Sequence, residues 1–366
     1  LRDLGELDVE ENVTPLGARM VAFPLHPRIA RMLIAAEHYG CVPTLCLVAA
    51  LLQERSILQH RVGAAVRERR LDLLEGREDS DILLMLKAWE AAQRHGFRRD
   101  ACEAIGVHGG AARSAGVLQR QLERTAENLG LDCFEVRPEP ESIYKCILAG
   151  FSDHVAMRSG GDRCSLVGGR RGSIASDSVL GRDQPLFVAA EIQEIGSRQG
   201  KVDVKLSALT AIEEAWLGEL TSGCFQDRRH VYFDTVGKRM LAERQRCFRD
   251  LVIRTERVGN VTDDEAAAAL AAEVVSGRIA LKHWDRKVEQ WIARINLVAA
   301  HNPELGVPSV SDDDRHALIE QICHGAHSVK AVKNREIWPV LRQWLSPAQT
   351  ATVKAYAPEQ VTIQNG

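Results

Sequence analysis

The spacing of apolar residues changes along the chain, and each change restricts how the surrounding segment can fold. From residue 23 to residue 135 apolar side chains recur at helical spacing, as at Ile29, Met32, Leu33 and Ala36. After Pro138 short apolar runs separated by glycines predict strands instead. A chain of 366 residues is also too long for one ordinary hydrophobic core. The sequence therefore predicts a multidomain protein that is mainly α, with a small β-barrel.

Local signals mark where several helices begin. In Thr14-Pro15 and in His26-Pro27 the first residue can cap a helix whose first turn holds the proline. Gly40 predicts the end of the second of these helices, and Ser80 can cap a later one. The charged stretch 61–79 resembles an insertion, and we expect a solvated helix and a loop there.

The middle of the chain contains candidate strands. In the last of them Val202, Val204 and Leu206 alternate with charged residues, the period of a sheet with one wet face. A short helix at 142–148 precedes the strands. Four or five short strands within roughly 70 residues favour a small barrel. The candidates are Cys164–Val167, Ser173–Ala175, Leu186–Ile192 and Val202–Leu206.

The C-terminal part begins with a basic stretch. Residues 227–257 resemble an antiparallel meander and carry nine Lys and Arg against five Asp and Glu, an excess of four. This excess of positive charge is consistent with a second surface that faces nucleic acid or a ribosome, and equally with the solvent-exposed face of a sheet. After Thr262-Asp-Asp-Glu265, which is typical of a capping box, we expect helices to the end. Those helices are predicted at 266–276, 284–300, 312–323 and 337–344, with Trp284, Trp291, Trp338 and Trp344 in the core.

Composition excludes several classes of protein. With 45% hydrophobic and 27% charged residues the chain resembles a globular protein, and no apolar run approaches a membrane span. The nine cysteines are scattered singly, which favours reduced thiols over a disulfide framework or a zinc knuckle. A net charge of -3 argues against a uniformly basic nucleic-acid binder and leaves room for local basic stripes.

The motifs that could carry chemistry are incomplete. Gly168-Gly-Arg-Arg-Gly172 lacks the Lys-Ser/Thr of a phosphate loop and the helix that follows it, so we interpret it as a barrel turn. Asp264-Glu265 lacks a following histidine and is interpreted as the acidic first turn of a helix. Cys323, His324 and His327 lack a fourth metal ligand at suitable spacing. The sequence therefore predicts neither a catalytic residue nor a metal site.

Several short segments resemble one family, in the family's own order. Val13-Thr-Pro-Leu-Gly17 and the run from Phe23 to Leu33 resemble the passage from winged helix to helical ratchet in DEAH-box helicases. Ala50–Arg55 resembles the early ratchet, and Gly150–Ala156 with Leu166–Gly172 resembles the start of the family's OB-fold. Four later segments resemble the module that distinguishes the HrpB type. These segments are Asn302–Gly306, Ser309–Asp312, Trp344–Pro347 and Ala357–Ile363.

The resemblance implies a domain order and a function. It implies a winged-helix remnant at 1–22, a helical ratchet domain at 23–135, an OB-fold at 136–222 and an α+β HrpB-type C-terminal module at 223–366. Such a chain would be the accessory C-terminal region of an ATP-dependent RNA helicase, guiding single-stranded RNA through a channel. The chain begins with Leu1 rather than Met, so we expect the motor, with its ATP and Mg, to lie upstream. Alone, the chain is expected to have no cofactor and no ATP hydrolysis, because it lacks the motor motifs.

Arginines and lysines supply the candidate RNA contacts. Four candidate arginines of the barrel lie near its first turns, and two candidate lysines lie on or next to a later strand. The two candidate arginines of the ratchet lie on one side of a helix, together with Arg124. From spacing alone a solvated rim or helix face explains them as well, and the resemblance favours RNA. Few aromatic residues lie nearby, so we expect contacts to phosphate with little sequence preference. The candidates are Arg158, Arg163, Arg170, Arg171, Lys201, Lys205, Arg113 and Arg120.

One alternative function stays open. A motor-free adaptor that binds RNA or protein could share these domains. For either function we expect single-stranded RNA as a partner, with single-stranded DNA as the alternative. For the helicase function we also expect the missing motor domains as partners. We expect no membrane partner and a location in the bacterial cytoplasm.

Overall fold

The computed structural model describes residues 5–8, 10–134, 138–196, 202–221, 223–237 and 239–360. The described residues form two compact units, one within 1–226 and 246–253, the other within 227–245 and 254–366. The prediction of a mainly helical protein with a small β-barrel is confirmed. The boundaries between the four predicted domains stay a prediction.

The first unit starts with helices whose beginnings the sequence had marked. The side chain of Thr14 accepts a hydrogen bond from the N–H of Gly17, and that of Ser80 accepts one from Leu83, so both predicted caps are confirmed. Gly40, with a φ of +60°, follows the second helix as expected. The helices are α1 (Pro15–Val21), α2 (Pro27–His38), α3 (Val42–Gln53), α4 (Ala64–Asp72), α5 (Asp81–Arg94), α6 (Arg99–Ala104), α7 (Gly109–Asn128) and α8 (Pro140–Gly150).

The charged stretch 61–79 is only partly as predicted. Helix α4 forms there, but Arg70 and Leu74 on and after it are buried. The guanidinium of Arg70 donates hydrogen bonds to the carbonyl oxygens of Gln59, Ile105 and Gly106. The predicted solvated helix and loop are present over most of the segment, and Arg70 is an exception, because three backbone acceptors make the burial of its charge tolerable.

A closed five-stranded barrel follows α8. Its strand order is β1-β2-β3-β5-β4, with β1 also paired to β4. The pair β3–β5 is parallel, and the other pairs are antiparallel. The four candidate strands are confirmed, with the last two longer than predicted, and the first strand was not among the candidates. The strands are β1 (Val155–Gly160), β2 (Arg163–Leu166), β3 (Arg171–Ile174), β4 (Leu186–Gly196) and β5 (Val202–Ala211).

A buried carboxylate joins α5 to the barrel. Asp81 accepts hydrogen bonds from the Oγ of Ser178 and from the backbone N–H groups of Val179 and Leu209, at 2.8 to 2.9 Å. Beside it the hydroxyls of Ser80 and Thr210 lie 2.8 Å apart. Burial raises the pKa of Asp81 to about 6, although these hydrogen bonds act in the opposite direction. The barrel is thereby fixed to the helical part of the same unit.

A short helix and a three-stranded sheet come next. The sheet has the order β6-β7-β8, and its strands are joined by connections short enough for antiparallel neighbours. The predicted meander is thus confirmed. The elements are α9 (Glu214–Leu220), β6 (Phe225–Asp234), β7 (Arg239–Phe248) and β8 (Leu251–Val258).

The helices of the second unit surround a core of their own. The capping box of Thr262 with Glu265 is confirmed. Trp291 is buried in this core, and Trp284, Trp338 and Trp344 are half-buried against it. Along the described part of the chain, no helix is both long and apolar enough to cross a bilayer. The helices are α10 (Asp263–Val275), α11 (Arg286–His301), α12 (Asp312–Cys323), α13 (Val329–Lys333), α14 (Trp338–Gln343) and α15 (Pro347–Tyr356), of which α13 and α15 were not predicted.

Candidate nucleic-acid interface

The register of the barrel aligns polar side chains into one row. Arg163 of β2 lies opposite Ser173 of β3, Ser173 lies opposite Lys205 of β5, and Lys205 lies opposite Gln193 of β4. Side chains alternate between the two faces of a strand, and the neighbours Cys164, Ile174 and Leu206 are buried inside the barrel. The row therefore lies on the outside.

A third cation lies beside this row, which already contains Arg163 and Lys205. Arg171 of β3 is exposed and pairs with Ser165 of β2. Gly172 stands between Arg171 and Ser173, and a Cβ there would point toward Leu166 in the interior. We call the outward set Arg163, Ser165, Arg171, Ser173 and Lys205 the barrel face. The serines were not among the candidates, although the alternation of buried positions along β2 and β3 could have indicated them.

The cations of the barrel face have little opposing charge. Within the described residues, Arg163, Arg171 and Lys205 form no ion pair. Lys205 does interact with the charge of Asp177: burial opposes the ionisation of this carboxyl group, but the hydrogen bond from His60 and the charges of His60 and Lys205 leave its pKa lowered. The face therefore presents three positive groups and two hydroxyls to solvent, a combination suited to phosphate oxygens.

The remaining barrel candidates lie elsewhere. The two terminal nitrogens of the Arg158 guanidinium donate to the carbonyl oxygens of Gly161, Leu180 and Gly181, so they are engaged inside the protein, while its buried Nε has no hydrogen-bond partner among the described residues. Arg170 is half-buried at the turn between β2 and β3. Lys201 lies outside the described residues.

Arg170 contributes to a groove of about 790 Å³ between the helical part of the first unit and β4. Arg28 lies in it, forms a bidentate ion pair with Asp153 and stands 5.9 Å from the ring centre of Phe151. Burial and then the charge of Arg28 lower the pKa of His154, so this imidazole is neutral near pH 7. Glu191 and Glu194 line the opposite side. With charges of both signs, the groove is less suited to phosphate than the barrel face.

The ratchet candidates occupy one exposed side of α7. Arg113 donates a hydrogen bond to the carbonyl oxygen of Phe97 at 2.8 Å and lies 6.0 Å from the centre of that ring. Arg120 and Arg124 are exposed. The predicted alignment is therefore present, with Arg113 partly engaged by its own neighbourhood.

The glycine-rich motif is a barrel turn. Gly168 and Gly169 have φ values of +84° and +68° in the connection between β2 and β3, a conformation that favours glycine. The N–H of Gly168 donates to Asp250 Oδ1 at 2.9 Å. This confirms the interpretation of the motif as a turn rather than a phosphate loop.

The other two motifs also have structural partners. Asp264 lies in the first turn of α10, and its carboxylate contacts His324, while His327 contacts Asp263. Cys323 is buried at the end of α12. Among the described residues no group of three or more His, Cys, Asp or Glu side chains is arranged to hold a metal ion.

Comparison with known proteins first identifies a class of domain. The model of the helicase-associated domain (HA2), ratchet-like, matches residues 26–103, inside the range expected to be the ratchet. The resemblance to DEAH-box RNA helicases that the sequence predicted is confirmed by this match and by the relatives named below, and both are consistent with a C-terminal part of such a helicase.

Particular relatives then follow. The chain is 27% identical over 233 residues to the probable ATP-dependent RNA helicase DHX35 of Homo sapiens, a match that covers 62% of this chain and 32% of that protein. It is 23% identical over 376 residues to the ATP-dependent RNA helicase HrpB of Escherichia coli, covering 100% of this chain and 40% of that protein. The chain thus spans well under half the length of these relatives.

A solved structure of an HrpB protein is also similar. The crystal structure of the E. coli DExH-box NTPase HrpB aligns with 99% of this chain and 39% of its own, at 20% identity and a TM-score of 0.47.

Proposed function

We propose that this chain is the accessory C-terminal region of a cytoplasmic ATP-dependent DEAH-box RNA helicase, and that the barrel face binds the phosphates of single-stranded RNA. In this function the barrel acts as an OB-fold, whose second and third strands are the usual surface for oligonucleotides. The ratchet-like match and the RNA helicase relatives support the class of protein. ATP and Mg would belong to a motor encoded upstream.

The observation that carries the proposal is the row of Arg163, Ser173 and Lys205 across three strands, with Arg171 beside it. Neighbouring strands lie about 4.8 Å apart, so the row offers positive charge and hydroxyl donors at closely spaced points. Phosphate contacts position a strand without selecting its bases. The face should therefore hold many RNA sequences with similar affinity, as a channel requires.

Binding of a fluorescent single-stranded oligouridylate to the whole chain tests the proposal. The triple variant Arg163→Ala, Arg171→Ala, Lys205→Ala should lower the affinity at least tenfold at low salt. It should also flatten the slope of log affinity against log salt by about 2 units, since each single-strand phosphate neutralised contributes about 0.7. A matched control removes the three exposed arginines Arg94, Arg98 and Arg99, two of which are already paired with acids.

The control variant should leave the affinity and the slope unchanged. Equal losses in the two triple variants would mean that only net charge matters, and an unchanged slope in the barrel variant would refute the assignment of the barrel face.

The alternative is a motor-free adaptor that binds RNA or protein. The reading frame upstream of Leu1 separates the two functions, because a helicase needs a Lys-Ser/Thr phosphate loop and an Asp-Glu-x-His segment there. In a full-length helicase, the barrel variant should reduce RNA-stimulated ATP hydrolysis at subsaturating RNA. An adaptor would bind RNA through the same face with no hydrolysis to stimulate.

A further inference from the structure

The second unit contains a cleft that the proposed function does not use. It has a volume of about 700 Å³ and lies between the start of β7, the end of β8 and the start of α10. Arg239 and Arg257 line it from the two strands, Gly259 to Asp263 line it from the connection to α10 and its first turn, and His327 lines it as well. All of its lining residues belong to the same compact unit.

Two guanidinium groups in this cleft carry uncompensated charge. Arg239 and Arg257 are exposed, and neither forms an ion pair with any residue in the described ranges. Arg228 and Arg229, on the neighbouring strand, are engaged: Arg228 donates to Gln245, and Arg229 donates to Glu265 and to the carbonyl oxygen of Asn260. The cleft thus holds the arginines whose donors are open to a ligand.

The acids around the cleft are themselves engaged. The carboxylates of α10's first turn have partners: Asp263 lies 2.7 Å from the imidazole of His327, Asp264 lies 3.1 Å from that of His324, and Glu265 binds Arg229. On the strand side, Glu243 accepts a hydrogen bond from the hydroxyl of Tyr232, and Asp234 accepts one from the N–H of Val236. Among the described lining residues, Arg239 and Arg257 are therefore the two cations, and Asp263, which contacts His327, is the one acid.

The lining points to the chemistry of the ligand. Guanidinium groups bind phosphate oxygens in a bidentate way, and two of them on adjacent elements suit successive phosphates of a strand. The imidazole of His327 is the one ring among the described lining residues, and it is held by the carboxylate of Asp263 at 2.7 Å, so the cleft offers little surface for base stacking. A contact restricted to the sugar-phosphate backbone follows from this lining.

We propose that this cleft is a second RNA-binding site, in which Arg239 and Arg257 hold the phosphate backbone of an RNA strand. The choice of RNA as the polyanion rests on the proposed function of the barrel, while the site itself rests on the cleft. It gives the basic stretch 227–257 a role in binding, and confines that role to two of its cations.

The test compares the double variant Arg239→Ala, Arg257→Ala in the whole chain with the barrel triple variant, using the same labelled oligouridylate. The cleft variant should lower RNA affinity three- to tenfold and flatten the salt slope by about 1.4 units for two phosphates. Arg244→Ala is the matched control, because Arg244 is an exposed arginine of the same strand outside the lining. Arg239→Lys with Arg257→Lys should restore most of the slope and only part of the affinity, since lysine keeps the charge and loses the bidentate geometry.

The outcomes separate the two proposals. A cleft variant that binds RNA like the unmodified chain, with the barrel variant impaired, overturns the cleft and leaves the barrel function intact. A cleft variant that is impaired while the barrel variant is normal supports the cleft and refutes the barrel function. Loss of binding to a polyglutamate probe in the cleft variant, with RNA binding unchanged, also overturns the proposal, because the cleft would then serve an acidic protein. Unchanged thermal unfolding of each variant shows that it is folded.

Discussion

The arginines of the barrel face differ from three arginines of the C-terminal sheet in what they contact. Arg239 and Arg257 of that sheet resemble the barrel face, since they form no ion pair among the described residues. Arg163 and Arg171 point outward from β2 and β3 and have no ion-pair partner among the described residues. On β6, Arg228 and Arg229 bind Gln245 and Glu265, and on β7, Arg246 binds Glu214 and lies 4.6 Å from the ring centre of Phe225. Ion pairs within the protein neutralise some of the positive residues. The excess counted from the sequence is therefore larger than the positive charge that a partner can contact.

The same contrast exists within the barrel. Arg158 is close in sequence to Arg163, yet its guanidinium serves three carbonyl groups of its own barrel. Because the two residues are close in sequence, both were candidates for RNA binding. Their contacts show that Arg158 has a structural role and leave Arg163 as the candidate for binding. The following predictions test that distinction, with the larger effects first.

Asp81→Asn should have two opposing effects on stability at pH 7. The amide avoids the cost of about 3 kcal/mol that burial places on the ionised carboxylate. It has one oxygen acceptor instead of two, so one of the N–H groups of Val179 and Leu209 loses its partner at a cost of about 1–3 kcal/mol, and the net change should be small. Chemical denaturation at pH 7 measures this change. RNA binding per folded molecule should persist, because Asp81 is not on the barrel face.

The pH dependence of unfolding gives the same residue a second test. The folded-state pKa of Asp81 is about 6, above its ordinary value of 3.8, so the folded state binds more protons between these values. The contribution of Asp81 to stability is therefore fully present below pH 4 and is lost as the pH rises through 6, by about 3 kcal/mol. The Asn variant should lack this loss. A variant with the same pH profile as the unmodified chain would show that another group titrates there.

Arg158→Ala should destabilise the first unit by about 1–2 kcal/mol, because it removes the donors that three carbonyl groups share. It should leave the salt dependence of RNA binding unchanged, whereas Arg163→Ala should flatten the slope by about 0.7 unit. Denaturation and anisotropy on the two single variants provide the comparison. Equal flattening in both would remove the distinction between engaged and free arginines.

Arg229→Ala should have the smallest effect. The hydrogen bond from Arg229 is the largest of the contacts that lower the pKa of Glu265 to about 2, so this pKa should rise toward 4.5 in the variant. Since a lowered carboxyl pKa stabilises the folded state above the ordinary value, the variant should lose a little stability at neutral pH and less on acidification. NMR titration of Glu265 measures the shift. RNA affinity that falls as far as in Arg163→Ala would contradict the view that paired arginines of the sheet do not bind RNA.

Much of the fold could be predicted because its signals are local. The caps at Thr14, Ser80 and Thr262 involve bonds within the first turn of a helix, and α12 begins and ends where its pattern predicted. The first barrel strand was not recognised: its buried pair Val155 and Ala156 is followed by half-buried and exposed residues rather than by alternation. Helices α13 and α15 are short, and their apolar stripes bury one residue each.

The candidate site was only partly predictable. The sequence indicated basic residues around the first barrel turns, and Arg163 and Arg171 are among them. It could not show that Arg158 turns to Leu180 and Gly181, nor that Arg70 is buried in a charged segment, because these contacts join residues far apart in the chain. Nor did it indicate the cleft around Arg239 and Arg257, whose walls come from separate strands and a helix.

The sequence by itself determined the helix starts, the presence of short strands and the resemblance to helicases, because each depends on residue types at short and fixed spacing. The tertiary structure alone decided which cations stay free. The parallel pairing of β3 with β5 places Ser173 beside Lys205, and closure of the barrel turns Arg163 and Arg171 outward. Strand register is set by long-range pairing and by which face is buried, so the alignment of charges arises only when the barrel closes.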